Sequence, residues 1–199
     1  DDGTCFAGHA HEIGIPHVTG RALDTLFITE ETLGRPAPEP ATTVYAGYLF
    51  GCLDNEDSLP SFYNPPPAEF KRGVEFHNVR EALEGLYWLI KLRDSDEARK
   101  YAHGMLATLD KLSLPGGRYA WERIAELGRQ GVWVGIGEVQ TVSSGRVVGP
   151  LMKYYRLTSK RLALRLAGGY AKYVMDVSFD EHGLLTDLGV ADGDSLRFA

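Results

Sequence analysis

Cysteine is scarce in this sequence, since Cys5 and Cys52 are the only two among 199 residues. They lie far apart and form neither a CxxC pair nor the spacing of a zinc finger. The two residues therefore diagnose no redox compartment. We predict free thiols rather than a disulfide between them.

Long apolar runs and clusters of positive charge are also missing. No stretch approaches the roughly 20 apolar residues that span a bilayer, so no membrane partner is expected. Lysine and arginine number 21 against 27 acidic residues, which gives a net charge of −6. Nucleic-acid binding depends on clustered basic side chains that neutralise phosphates, so no nucleic-acid partner is expected either.

The start of the chain lacks both a methionine and a signal-peptide pattern, and it reads Asp1-Asp2-Gly3. We expect that an upstream segment has been removed or left out. What is present fits a single globular domain over residues 1–199, with 44% hydrophobic and 24% charged residues.

One short pattern occurs three times, at residues 20–26, 80–86 and 145–151. When the three copies are aligned on their apolar positions, Ala22, Ala82 and Val147 correspond, and they are spaced 60 and 65 residues apart. Self-similarity at a regular spacing is typical of stacked units that cannot bury their apolar faces alone. The sequence therefore predicts an all-α fold of stacked hairpins.

The second unit, residues 78–112, shows the pattern of one hairpin most clearly. Apolar residues from 78 to 92 recur at the three- and four-residue spacing of an amphipathic helix. Asn78 is a candidate N-cap, and Glu81 three residues later completes a capping box. A break at residues 94–96 precedes a second apolar stripe, so a helical hairpin with a short connection is expected.

The first and third units, residues 17–54 and 143–176, repeat this plan with longer loops between units. In the first unit, helices are expected over about 19–33 and 42–53. In the third, Ser143 or Ser144 is the candidate cap, and Pro150 predicts either a kink or a helix start near Gly149. Residues 131–137 have the pattern of a short β-hairpin.

Residues 80–92 and 144–158, with long loops before each leading helix, resemble the six-hairpin (α/α) toroid glycosidases. The nearest likeness is to the β-L-arabinofuranosidase-like branch and its uncharacterised bacterial relatives. The resemblance implies part of an (α/α) toroid and hydrolysis of a glycosidic bond in a carbohydrate substrate. Because only half the hairpins of a toroid are present, it also implies a fragment or a chain completed by self-association.

The resemblance places the substrate funnel at the segments that precede the leading helices. Glu75 and Glu138 hold comparable places there, in Glu75-x-His77 and Glu138-x-Gln140, and are the predicted pair of catalytic carboxylates. His77 is the predicted proton-transfer residue. Each has a structural alternative, as a carboxylate favoured by a helix N-terminus or as a histidine with satisfied hydrogen bonds.

Five further residues are predicted to bind substrate. Asn78, Gln140 and His17 are the candidate partners of sugar hydroxyls. Trp121 and Trp133 lie in a glycine-rich segment and could offer flat faces to sugar rings, with core packing as the alternative.

Metal and cofactor binding are not predicted. The arabinofuranosidase-like branch is associated with a cysteine nucleophile and cysteine ligands to zinc, and this sequence has no matching cluster. His9 and His11 could share one side of an extended segment, but the spacing fixes no third ligand.

Two other functions stay open. A helical-repeat module could bind a partner through its concave face without catalysis. A polysaccharide lyase would use a histidine or tyrosine base on a uronate polymer, and Arg118 and Arg129 could serve such a substrate.

Overall fold

The computed structural model describes residues 11–60, 76–117, 140–179 and 182. Within those ranges the chain is helical and contains no β-strand, which confirms the predicted all-α fold of stacked hairpins. Its helices are α1 (His11–Leu33), α2 (Glu39–Leu53), α3 (Phe76–Arg93), α4 (Asp96–Leu112), α5 (Gln140–Thr158) and α6 (Arg161–Ser178). Residues 131–137, predicted to form a β-hairpin, lie outside this part of the structure.

The six helices pair as three hairpins that stack in two layers. The leading helices α1, α3 and α5 lie side by side, with α3 in the middle. The trailing helices α2, α4 and α6 form the second layer, in which α4 contacts both α2 and α6. Each hairpin therefore buries its apolar face against the next one, as the repeat predicts.

The hairpin turns are short and have local causes. Gly34 adopts a positive φ of 63°, and its N–H donates to the Glu30 carbonyl at 2.9 Å, which ends α1. Between α3 and α4, the Ser95 side chain accepts a hydrogen bond from the Ala98 N–H at 3.1 Å and caps α4.

The core lies between the two layers and centres on α3 and α4. Its largest fully buried side chains include Phe27, Phe76, Leu83, Leu86, Met105, Tyr154 and Tyr170. Removing one of these, as in Leu83→Ala, is expected to cost about 2–5 kcal/mol of unfolding free energy.

Helices α1 and α3 touch backbone to backbone. A Cβ atom added at Gly20 would stand 2.1 Å from the carbonyl oxygen of Glu81, and one added at Gly85 would stand 3.2 Å from the Gly20 Cα. Only glycine fits at these two positions without moving a helix. The polar side chains that flank the contact are consequently brought face to face.

Three predicted helix starts were wrong. Helix α3 begins at Phe76, so Asn78 lies inside its first turn and is not the N-cap. Helix α5 begins at Gln140, ahead of Ser143 and Ser144, and continues through Pro150. Helix α1 begins at His11, eight residues before the predicted start, so His17 lies in a helix rather than in a loop.

Candidate functional site

A row of polar side chains joins α1 and α3 along their shared face. We call it the polar seam, and it consists of His17, Arg21, Asp24 and Glu31 on α1 with His77, Glu81, Glu84, Trp88 and Lys91 on α3. On α3 the members follow one another at three- and four-residue steps, and on α1 at steps of four, three and seven residues, which keeps them on one face of each helix. His17 faces His77, Arg21 pairs with Glu81, and Glu31 pairs with Lys91.

The register of the seam is constant. Arg21 and Glu81 are 60 residues apart, and so are Glu31 and Lys91. A constant offset between contacting positions requires two parallel helices in register. Equivalent positions of two repeats therefore lie opposite each other along the whole seam.

At one end of the seam, five residues form what we call the histidine cluster: His17, Arg21, His77, Arg80 and Glu81. Oε1 of Glu81 lies 3.1 Å from His77 Nε2, 3.1 Å from Arg21 Nη2 and 3.4 Å from Arg80 Nη1. The rings of His17 and His77 have centroids 4.3 Å apart and are tilted by 37°. The cluster thus surrounds one buried carboxylate with two guanidinium groups and two imidazoles.

The environment of the histidine cluster lowers the pKa values of Glu81 and His17. Burial raises the pKa of Glu81, but hydrogen bonds from His77 and Arg21 outweigh burial and lower it to about 2. Burial, together with the charges of His77 and Arg21, lowers the pKa of His17 to about 4. At neutral pH Glu81 is therefore ionised and His17 is neutral.

Asn78 lies next to the histidine cluster in sequence, and its side chain is buried. Its Oδ1 has no hydrogen-bond partner among the described residues. A buried acceptor without a partner costs stability, so it is unusual unless a ligand or water satisfies it.

The middle of the seam holds a second centre, the carboxyl pair Asp24 and Glu84. These residues occupy equivalent positions of the first two repeats. The indole N–H of Trp88 donates to Asp24 Oδ1 at 2.6 Å, and Lys153 Nζ on α5 donates to Glu84 Oε2 at 2.7 Å. All three leading helices therefore contribute to this centre.

Glu84 holds its proton more tightly than an ordinary glutamic acid. Its side chain is only 9% exposed, and burial raises its pKa. The hydrogen bond from Lys153 works in the opposite direction without cancelling that effect, and the charge of Asp24 adds to the increase. A carboxyl whose pKa is raised beside a second carboxyl is an arrangement that acid–base chemistry uses.

Aromatic rings and lysines border the carboxyl pair. The Tyr87 and Trp88 rings meet edge to face, with centroids 5.1 Å apart. Lys91 Nζ lies 4.7 Å from the centre of the Trp88 ring, and Lys153 Nζ lies 5.7 Å from that of the half-buried Tyr87. Trp88 is buried and positions Asp24, whereas Tyr87 keeps part of its ring accessible.

A surface groove of about 540 Å³ lies elsewhere, in the trailing layer, where Asp110, Arg161 and Arg165 line it with two leucines. The Arg165–Asp110 ion pair, at 2.7 Å, is exposed. Exposed pairs of this kind contribute little, and no seam residue lines the groove.

The structure brings together two of the predicted site residues, His17 and His77, in the histidine cluster. Asn78 lies beside them in the first turn of α3. Gln140 is the first residue of α5, and its side chain is outside the part of the chain that the structure describes. Glu75, Glu138, Trp121 and Trp133 also lie outside the described residues, so their predicted roles stay predictions.

Sequence reasoning missed Glu81 and the Asp24–Glu84 pair as site residues. The signal was present in the repeat, because Asp24 and Glu84 hold the same position in residues 20–26 and 80–86. Two carboxyls at one position of neighbouring leading helices must face each other once the helices pack in register.

Comparison with models of protein families, with curated proteins and with solved structures yields no match. Among the described helices, none combines the length and the apolar character needed to cross a membrane.

Proposed function

We propose that this chain carries the reaction centre of a carbohydrate-active enzyme that hydrolyses a glycosidic bond, as its resemblance to toroid glycosidases implies. The observation that supports the proposal is the raised pKa of Glu84 in a buried position opposite Asp24. Glycoside hydrolysis uses two carboxyl groups, one protonated and one ionised.

In this proposal Glu84 donates the proton to the leaving oxygen. Burial favours this role because it disfavours the charged form of Glu84 and raises its pKa. Asp24 acts as the second carboxyl, and the indole of Trp88 fixes one of its oxygens. The charge of Asp24 acts on Glu84, so the two carboxyls are near neighbours on adjacent helices.

Neighbouring residues would bind the sugar. Lys153 has a side chain that is 41% exposed, so it can exchange its bond to Glu84 for a sugar hydroxyl. The accessible part of the Tyr87 ring offers a face on which a sugar can stack. Asn78 Oδ1 is an acceptor that a hydroxyl donor would satisfy, which supports its predicted role.

The test is a set of variants assayed on a panel of nitrophenyl glycosides and plant and bacterial polysaccharides. On a substrate that the unmodified protein cleaves, Glu84→Gln and Asp24→Asn should each lower kcat/KM at least 100-fold. Glu31→Gln is the matched control, because Glu31 lies on the same seam but pairs with Lys91 at the surface. The kcat/KM of Glu31→Gln should stay within about twofold of the value for the unmodified protein.

Glu75→Gln and Glu138→Gln belong in the same series, since the sequence proposes them as the catalytic pair. If these two variants lose activity while Glu84→Gln and Asp24→Asn keep it, the carboxyl pair of the seam is not the reaction centre.

The reaction products separate hydrolysis from the two alternatives. A polysaccharide lyase releases an unsaturated uronate product, and the neutral His17 beside Arg21 and Arg80 is the observation that favours this chemistry. A binding module shows glycan affinity that survives Glu84→Gln and yields no product. Either result would overturn the hydrolase proposal.

A further inference from the structure

We propose that His17, His77 and Glu81 form a binding site for one divalent transition-metal ion of the zinc type. This goes beyond the proposed hydrolysis, which uses the carboxyl pair and needs no metal. The site would lie at the end of the seam, where its histidines are seven residues, about two helical turns, from the carboxyl pair.

The geometry of the three side chains supports the proposal. One ligand atom from each of His17, His77 and Glu81 lies within 4.8 Å of the other two. Around a tetrahedral zinc ion, with bonds of about 2.0–2.2 Å, ligand atoms lie roughly 3.3–3.5 Å apart. His77 Nε2 and Glu81 Oε1 already lie 3.1 Å apart, so only a small shift of His17 would complete the site.

The scaffold holds these donors in place. His77 and Glu81 are four residues apart on α3 and share one face of the helix, while His17 faces them from α1. The backbone contact at Gly20 fixes the separation of the two helices beside the site. A rigid arrangement of donors lowers the cost of gathering them around an ion.

Arg21 and Arg80 are the competing cations, because both approach Glu81. Both arginines reach Glu81 Oε1, the same oxygen that lies 3.1 Å from His77 Nε2, so an ion bound there would displace them. The arginine side chains are 53% and 41% exposed, so both can turn into solvent. Metal binding should therefore be a competition that removal of Arg21 favours.

The donor set selects the class of ion. Two imidazoles and one carboxylate suit zinc and its neighbours in the first transition row. Magnesium prefers six oxygen ligands and keeps most of its waters, so it is a suitable negative control.

The experiment is isothermal titration of Zn²⁺ into the unmodified protein and into four variants, with circular dichroism to verify folding. His77→Asn and Glu81→Gln should each weaken Zn²⁺ binding at least tenfold, whereas Arg21→Gln should strengthen it severalfold. His103→Asn is the matched control, because His103 is an exposed histidine of α4, and it should bind as the unmodified protein does. Mg²⁺ should produce no heat of binding.

Two results would overturn the proposal. One is Zn²⁺ affinity that is equal in the unmodified protein, His77→Asn and Glu81→Gln, which would place the ion on other histidines of the chain. The other is thermal stabilisation by inorganic phosphate but not by Zn²⁺, which would make the cluster an anion site built on Arg21 and Arg80. If Glu81→Gln fails to fold, the Zn²⁺ affinity of Arg21→Gln still tests the proposal, and an affinity no higher than that of the unmodified protein would contradict it.

Discussion

Arg21 and Glu81 hold the same position in two copies of the repeat, and their side chains form an ion pair of 3.1 Å between α1 and α3. The pair shows that the repeat fixes which residues of neighbouring hairpins meet, in addition to fixing the fold class.

Gly20→Ala should destabilise the protein strongly, because the new Cβ would stand 2.1 Å from the Glu81 carbonyl oxygen. A clash with backbone requires α1 and α3 to separate. We expect the free energy of unfolding to fall by roughly 3 kcal/mol, the upper end of the range for overpacked cores. Urea denaturation measures the loss. Gly47→Ala is the control, since nothing lies within 4 Å of a Cβ added there. Because alanine favours the helix more than glycine does, this variant should be more stable by up to about 1 kcal/mol. Equal effects of the two substitutions would contradict a backbone contact at Gly20.

Acid should weaken the link between Glu30 and Arg93. The hydrogen bond from Arg93, with that from the Ala37 N–H, lowers the pKa of Glu30 from 4.5 to about 2. A carboxyl whose pKa is lower in the folded state stabilises the protein above its unfolded pKa, and this contribution disappears as the pH falls from about 4.5 to 2. The stability difference between the unmodified protein and Glu30→Gln should therefore shrink on acidification, as measured by urea denaturation between pH 7 and pH 3. Glu56→Gln, at an exposed position, should show no such trend.

Glu84→Gln should make the protein more stable at neutral pH while removing activity. Burial raises the pKa of Glu84 above 4.5, so the folded state binds this proton more tightly than the unfolded state. The contribution of Glu84 to stability is then present at low pH and is lost as the pH rises above 4.5 toward the higher folded value. Glutamine does not titrate. The stability of Glu84→Gln relative to the unmodified protein should therefore increase as the pH rises to 7. A variant that is less stable at pH 7 than at pH 4, relative to the unmodified protein, would exclude a protonated role for Glu84.

Asn78→Leu should leave stability unchanged or raise it by about 1 kcal/mol, because it removes a buried acceptor that has no partner among the described residues. The same change should weaken binding of a cleaved sugar, which titration with that sugar measures. Asn55→Leu is the contrast, since the Asn55 amide donates to the Cys52 and Leu59 carbonyls and its loss should cost about 1–3 kcal/mol. If Asn78→Leu costs as much as Asn55→Leu, Asn78 has a structural role.

The stacking of hairpins could be predicted because it follows from the need to bury the apolar faces of the helices. The apolar faces of α3 and α4 must be buried against other helices. The threefold repeat indicates that each hairpin buries its apolar face against the next hairpin. Helix starts were less predictable, since tertiary contacts decide them. Glu81 has the right spacing for a capping box with Asn78, yet Arg21 of the neighbouring helix binds its carboxylate instead.

The site was predicted only in part. His17 and His77 were both proposed as functional, but in separate loops before separate helices. Their contact follows from α1 and α3 being parallel and in register, which the local pattern of one helix cannot reveal. The raised pKa of Glu84 depends in turn on burial between packed helices, which outweighs the hydrogen bond from Lys153, 69 residues further along the chain.

The constant offset of the polar seam also limits how this sequence can change through evolution. His17, Arg21 and Glu31 on α1 each meet the residue 60 positions later, so a substitution at Arg21 selects for a matching change at Glu81. The chain between the two helices can lengthen or shorten freely, provided that both helices keep their rotation about their own axes. Relatives of this protein should therefore differ in the number of residues between α1 and α3, while the seam residues change in pairs.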